Sequence, residues 1–433
     1  MVDRIVPTVA HWGSSLAHVS GDRAVELVPH PLDAAPSPIA DGVLSTLDDD
    51  ARIRQPMARL GWLRARGRGT DPGRRGEPPF VPLDWDEALD LAADEIDRVR
   101  TEHGNAAIFG GSYGWGSAGR FHHPQSQIHR FLTVAGGYTA SHNNYSFAAL
   151  NIILPHVLGH SYGHYVELMP TWADIAADGE LVVAFGGLPP KNTQVNPGGV
   201  LRHTSVSEQR ACRAAGVEFV NVSPLRTDVQ PELDAQWLPV RPGTDVALML
   251  GIAHEIVARD LHDEDFLRRC CTGWDAFAGY LHGDADGVPK TPAWAAAVTG
   301  IPADDIVALA VRMATRRTMV MVSWSLQRAR FGEQTIWMGV VLAAVTGSLG
   351  RPGGGFGSGY GSTNQAGSPR RLGQVASFGR PRNPVRDSSR SPASPTCCCT
   401  RAPRSTTTAR GTPTRTSGSC TGAAATRSTT TRT

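Results

Sequence analysis

The sequence predicts an α/β chain: a small β-rich N-terminal lobe followed by doubly wound parallel-sheet domains. Three observations carry this. Short runs at 181–185 (LVVAF), 217–222 (VEFVNV) and 319–322 (MVMV) are apolar with little polar alternation, as expected of strands buried on both faces. Helical apolar spacings alternate with them, which implies crossover connections between parallel strands. Glycines or Ser-Pro turns follow the strand ends at Gly186-Gly187 and Ser223-Pro224, where sheets of this kind bind ligands.

Taken in order, residues 1–60 hold short extended candidates such as 24–28, separated by the proline-rich stretch PHPLDAAPSPIADG, and form the β-rich lobe. Residues 84–100 place Trp85, Leu89, Ala92, Ile96 and Val99 at helical spacing, with Asp84 as N-cap, and predict a surface helix. A buried strand at 106–109 feeds the Gly110-Gly111 turn, which puts Tyr113-Gly114-Trp115 on a loop. A helix at 117–135 stops at Gly136-Gly137. A second starts near Ser146 with Leu150, Ile153, Leu154 and Val157 on one face, and Pro155 is expected to kink it or end it early. Further on come a helix at 207–215, the helix opened by RPGTD at 241–245, the loop SWSLQRARFGEQ after the last apolar strand, a helix at 335–346 and the glycine run RPGGGFGSGYGS.

Composition narrows the function classes. With 433 residues a chain of about three domains is expected, ample for a buried core. No run of eighteen apolar residues exists, and the N-terminus lacks a basic start followed by an apolar stretch, so no membrane partner and a cytoplasmic location are expected. Residues 388–433 carry seven Arg and no acid, which leaves the preceding body at −5 out of a total of +2; nucleic acid is not an expected partner. The body holds only Cys212, Cys270 and Cys271, with no C-x-x-C, which argues against a zinc site, a disulfide framework or an iron–sulfur cluster. No Ser-His-Asp or Cys-His spacing is evident, and no G-x-G-x-x-G with a following acid supports a nicotinamide site.

Alone, Ser146 reads as an N-cap, Tyr113 and Trp115 as half-buried aromatics, and His122, His123 and His129 as helix-surface residues. The combination changes that weighting. SYGW, SAGR, AGGY, NYS and an apolar helix ending ILPHVLG together resemble the dimethyl sulfoxide reductase family of molybdenum enzymes, nearest its biotin sulfoxide reductases, over residues 11–387. The resemblance implies that Ser146 is the protein ligand to molybdenum and that Tyr113 and Trp115 hydrogen-bond the oxo group. It implies molybdenum bis(molybdopterin guanine dinucleotide) as cofactor, contacted by Trp115, Lys191, Thr193, Gln194, Ser223, Asp228, Asp245, Trp324, Gln327 and Arg328. Lys or Arg and turn N–H groups suit a pyrophosphate, and an acid suits guanine N1 and N2. The implied activity is oxygen-atom transfer from a small S- or N-oxide, with electrons from an unidentified donor. Trimethylamine N-oxide enzymes of the family lack the tyrosine that Tyr113 matches, which favours an S-oxide such as biotin or methionine sulfoxide.

The implied domains are 1–60; 61–165 carrying the metal site, with 351–387 returning to it; 166–350 binding the pterin guanine dinucleotide; and a tail, 388–433. Relatives are nearly twice as long, so a C-terminal barrel domain is expected to be missing, and a non-catalytic remnant is the alternative reading. The tail has no Leu, Ile, Val, Met, Phe, Tyr or Trp and is expected to be disordered. Read with the third base of each codon joined to the first two of the next, it can spell I-P-V-A-R-I-A-D-M-L-L from residue 389, and later G-G-N-P-F-H-H-H-Q. Both strings resemble the family's continuation, so the tail is expected to be a frameshifted translation.

Overall fold

The computed structural model describes residues 3–65, 79–111, 115, 123–368, 378–390, 406–407 and 413–414. The N-terminal lobe is an antiparallel meander of β1 (Arg4–Ala10), β2 (Gly13–Ser20) and β3 (Arg23–Pro29). A separate two-stranded sheet follows, in which β4 (Met57–Arg59) pairs with β5 (Phe80–Pro82).

Asp84 caps the helix Trp85–His103 by accepting from the Glu87 N–H at 2.7 Å, and Gly104 ends it. Its apolar stripe is poorly covered: Trp85 is 68% exposed and Leu89 60%. The strand expected at 106–109 is reduced to β6 (Phe109–Gly110), since Asn105–Ala107 winds into a 3-10 turn. The helix expected from 117 is described from Pro124 to Val134, with proline in its first turn. It leads to β7 (Thr139–His142), parallel to β6.

The main sheet contains β8 (Leu181–Phe185), β9 (Glu218–Val222), β10 (Gln236–Leu238), β11 (Thr318–Val322) and β12 (Gly355–Ser358). Its order is β10-β9-β8-β11-β12, with every pair parallel. Along β8, Leu181, Val183 and Phe185 enter the core on one face while Val182 and Ala184 enter the core on the other; β11 divides in the same way. Two buried faces explain why the sequence of these strands does not alternate. The chain reverses direction of winding between β8 and β11, so the crevice at their carboxyl ends is the switch point where such folds bind ligands.

Two expected boundaries move. Gly355–Ser358 is the edge strand of the main sheet, so the return to the smaller sheet, expected from 351, starts after Ser358; among the described residues it is seen at 378–390, where the Gly379 carbonyl accepts from Arg130, Asn383 bonds Tyr138 and β13 (Ser388–Arg390) pairs with β7. The helix Ala148–Val157 also belongs with the main core: Leu150 and Leu154 are fully buried in it, and the helix packs on Gly332–Val345. Apolar burial decides this, since the smaller sheet offers no comparable core. Pro155 lies inside that helix, which runs to Val157 instead of ending early. No single helix among the described residues is long and apolar enough to cross a membrane.

Leu154→Ala should cost about 2–5 kcal/mol through lost burial and a residual cavity. Urea unfolding followed by fluorescence measures it; a change below ~1 kcal/mol would mean that this helix is not part of the main core.

Candidate active site at the sheet switch point

The turn before the helix Ala148–Val157 is built by asparagines. Asn143 takes a left-handed conformation (φ 69°), which asparagine tolerates, and its Oδ1 accepts from the Asn144 N–H at 3.0 Å and from Asn151 Nδ2 at 2.9 Å. Asn144 Oδ1 accepts from the Phe147 N–H at 2.7 Å. The helix begins after Phe147 with no side-chain cap, so Ser146 is not the N-cap that its residue type suggests. Among the described residues no partner engages its hydroxyl.

Gln327, 4% exposed, holds this turn from the loop after β11. Its Oε1 accepts from the Ala149 N–H at 2.7 Å and its Nε2 donates to the Ser146 carbonyl, to which Arg328 also donates at 3.5 Å. One amide therefore satisfies an orphan N–H of the helix start and fixes the residue before it. Trp324 lies beside Phe147 with ring centres 4.7 Å apart and donates through Nε1 to the Tyr162 hydroxyl at 3.1 Å; that hydroxyl donates in turn to the Ser358 carbonyl at 3.2 Å. Ser146, Trp324, Gln327 and Arg328, far apart in sequence, are thus brought together.

Across the crevice, Lys191, Thr193 and Gln194 share a 3-10 turn, Pro190–Gln194. Thr193 is buried and donates to the Pro190 carbonyl at 2.8 Å, so it shapes the turn, while Lys191 is exposed. A cavity of about 220 Å³ is lined by Phe147, Tyr162 and Trp324 together with Asn196 and Gln365. Trp115 packs edge-on against His11 of the N-terminal lobe at 5.3 Å, and the His11 carbonyl accepts from the Asn196 N–H at 2.8 Å, which places Trp115 beside the same turn. Tyr113 lies outside the described residues.

The glycines after β8 permit these close approaches. Gly186 and Gly187 both have positive φ (82° and 73°); a Cβ on Gly187 would lie 2.5 Å from the Asp228 carbonyl oxygen, and one on Gly186 2.7 Å from Ser323 Cβ. Ser223, 1% exposed, donates to Asp228 at 2.7 Å, so these two groups satisfy each other. Asp245, at the start of the helix Asp245–Ala258, is 4% exposed and its Oδ1 is buried with no partner. Burial pushes its carboxyl up to about 6, against the opposing effect of its own backbone N–H. Tyr162, Phe147 and the asparagine pair were not singled out in the sequence. Only the Asn-Asn pair left a readable signal, as a turn former.

The Molybdopterin oxidoreductase profile matches residues 52–392, and that of the Molybdopterin oxidoreductase N-terminal domain matches 8–47. The chain belongs to the molybdopterin oxidoreductase family. It is 43% identical to biotin sulfoxide reductase of Cereibacter sphaeroides over 82% of this chain and 47% of that protein. It is 42% identical to the dimethyl sulfoxide/trimethylamine N-oxide reductase of the same organism, over 83% of this chain and 43% of that one. With trimethylamine-N-oxide reductase of Haemophilus influenzae the identity is 38%, over 83% and 43%. The chain therefore spans less than half the length of these relatives.

The residues present fit a molybdenum–pterin cofactor. The switch-point crevice carries at Ser146 a hydroxyl that, among the described residues, has no partner, and Lys191 and Arg328 are exposed cations in no ion pair among the same residues. Asp245 is an orphaned buried acceptor of the kind a donor-bearing ligand would satisfy.

Asp245 also has a measurable consequence. Its carboxyl titrates near 6 in the folded chain, above its unfolded value, so the folded state binds the extra proton between about pH 4 and 6 and loses stability as pH rises through that window. Asp245→Asn should remove this decline and stabilise the cofactor-free protein at pH 7 by about 3 kcal/mol at most. Chemical unfolding at pH 4.5 and 7 checks the sign; a variant less stable than wild type at pH 7 would show that the carboxylate has a partner after all.

Proposed function

We propose that this chain carries the cofactor-binding part of a molybdenum-dependent reductase of S- or N-oxides, using a bis(molybdopterin guanine dinucleotide) form of the cofactor and no iron–sulfur cluster. The observation that carries this reading is the Ser146 hydroxyl: its turn is held by Asn143, Asn144 and Gln327, and the hydroxyl is left over. As an alkoxide it is a hard donor suited to a high-valent metal. When bound, the cofactor supplies the two-electron chemistry that accepts oxygen from the substrate. Lys191 and Arg328 would neutralise diphosphate, and Asp245 would accept hydrogen bonds from guanine. Trp115, and Tyr113 with it, would orient the substrate oxygen by donating hydrogen bonds. The relatives' names include sulfoxide and N-oxide reductases. Tyr113 favours the S-oxides, and the electron donor is a separate partner.

One observation favours the second reading, that the chain as it stands does not retain the metal. Around the smaller sheet Phe109 is 58% exposed, Val134 69% and Trp85 68%, an apolar surface characteristic of a domain lacking its covering elements. We infer that residues 388–433 are a frameshifted translation and that the alternative frame encodes the cover. Purified as it stands, the chain should contain far less than stoichiometric molybdenum; expression with the alternative frame restored after Asp387 should raise the metal content to near stoichiometric, read by elemental analysis. A gene sequence with no recoverable reductase continuation in that frame would refute the frameshift.

In the restored protein, Ser146→Ala should abolish oxide reduction while leaving the fold intact, and unaltered activity with an unchanged metal spectrum would exclude Ser146 as ligand. Tyr113→Phe should slow sulfoxide reduction more than amine-oxide reduction, by the equivalent of about 1–3 kcal/mol for one lost hydrogen bond. Equal slowing of both substrates would remove Tyr113 from the specificity argument.

A further inference from the structure

The N-terminal lobe meets the 190–203 segment through a buried pair with no part in the site as described so far. His203 is 9% exposed and Asp33 7%. The His203 ring Nδ1 lies 2.7 Å from Asp33 Oδ2, and its backbone N–H donates to Asp33 Oδ1 at 3.0 Å. The other ring nitrogen, Nε2, lies 2.9 Å from the carbonyl oxygen of Gln194.

Donor and acceptor rules fix the protonation of this chain of contacts. A carbonyl oxygen only accepts, so Nε2 carries a hydrogen. Asp33 Oδ1 also accepts from the Ala35 N–H at 3.3 Å. Burial opposes ionisation of Asp33, but the hydrogen bonds from His203 and Ala35 outweigh it and hold the carboxyl below its ordinary value. The carboxylate therefore holds the ring from one side while the Gln194 carbonyl accepts from Nε2 on the other. Gln194 closes the 3-10 turn that bears Lys191, while the Asn196 N–H to the His11 carbonyl and the Ser14 hydroxyl to the Val200 carbonyl, both at 2.8 Å, tie the flanking chain to the same lobe.

We propose that Asp33 and His203 are positioning residues: the ring, anchored by the carboxylate, fixes the Gln194 carbonyl and so the turn that presents Lys191 to the cofactor diphosphate. The role rests on the cofactor reading above, and it makes the N-terminal lobe part of the cofactor site.

Three measurements on the intact chain test it: nitrogen-15 NMR of the His203 ring, hydrogen exchange of the amides of residues 191–196, and calorimetric titration with GDP as the guanine diphosphate probe. In wild type Nε2, which faces the Gln194 carbonyl, should carry a hydrogen. His203→Phe should accelerate exchange at 191–196 and raise the GDP dissociation constant, each about tenfold, as expected for one lost buried hydrogen bond. A merely structural contact would lower the melting temperature without selective loosening of 191–196. If His203→Phe does not fold, the same comparison is made in Asp33→Asn, which keeps the shape and removes the charge; a smaller acceleration confined to 191–196 is then expected. An unprotonated Nε2 in wild type, or unchanged exchange at 191–196 in a folded variant, overturns the proposal. Absence of GDP binding by wild type counts against the cofactor reading instead, because ring protonation and amide exchange report on the relay without any ligand.

Discussion

A single buried amide ties the crevice together. Gln327 leaves the loop after β11, reaches the turn at Ser146, and satisfies one N–H and one carbonyl there. Both groups belong to a helix start that would otherwise carry orphan backbone atoms in a mostly apolar setting, where an unmet hydrogen bond costs about 1–3 kcal/mol. Because Gln327 meets these groups from the loop after β11, the helix start needs no cap from its own residues. That frees the Ser146 hydroxyl.

The same economy appears elsewhere in the site. Ser223 and Asp228 satisfy each other, Thr193 bonds its own turn, and Gly186 and Gly187 let three loops approach to distances that a side chain would forbid. Several residues that resemblance assigns to the cofactor are therefore engaged first in holding one another. What is left for a ligand is the Ser146 hydroxyl, the exposed Lys191 and Arg328, and the unsatisfied Asp245 carboxyl. These differ in kind: a hard oxygen donor, two cations and a buried acceptor. A buried carboxylate retained at a cost to stability is easier to understand at a binding site than in a scaffold.

The molecule is uneven in its packing. The main sheet is closed on both faces, whereas the smaller sheet and the helices beside it leave large apolar side chains in solvent. The helix following Ser146 is held by the well-packed part, although β6, the strand that precedes Trp115, belongs to the loosely packed one. The N-terminal lobe bridges to the 190–203 turn through His203 and Asp33, so three regions converge on the crevice.

The parallel sheet was legible in the sequence because burial on both faces leaves an unbroken apolar run, and β8 and β11 could be found from those runs alone. The cap at Asp84 and the helix beginning at Asp245 were equally local signals, set by residues within one turn of each other. The family motifs named Ser146, Trp324, Gln327 and Arg328, yet their roles relative to one another were decided only in three dimensions. Sequence suggested that Ser146 caps its helix; Asn144 and Gln327 took over that task, the latter from about 180 positions away. The domain seams were misplaced for the same reason. Gly355–Ser358 is glycine-rich and short, with no local preference for either sheet, and joins β11 because an open edge is available there. Buried pairs such as Asp33 and His203 leave no periodic trace, since each residue alone is an ordinary polar side chain in a loop. Local patterning therefore determined which segments are strands and helices, while the tertiary structure determined which polar groups remain unsatisfied, and those are the groups that give the crevice its chemistry.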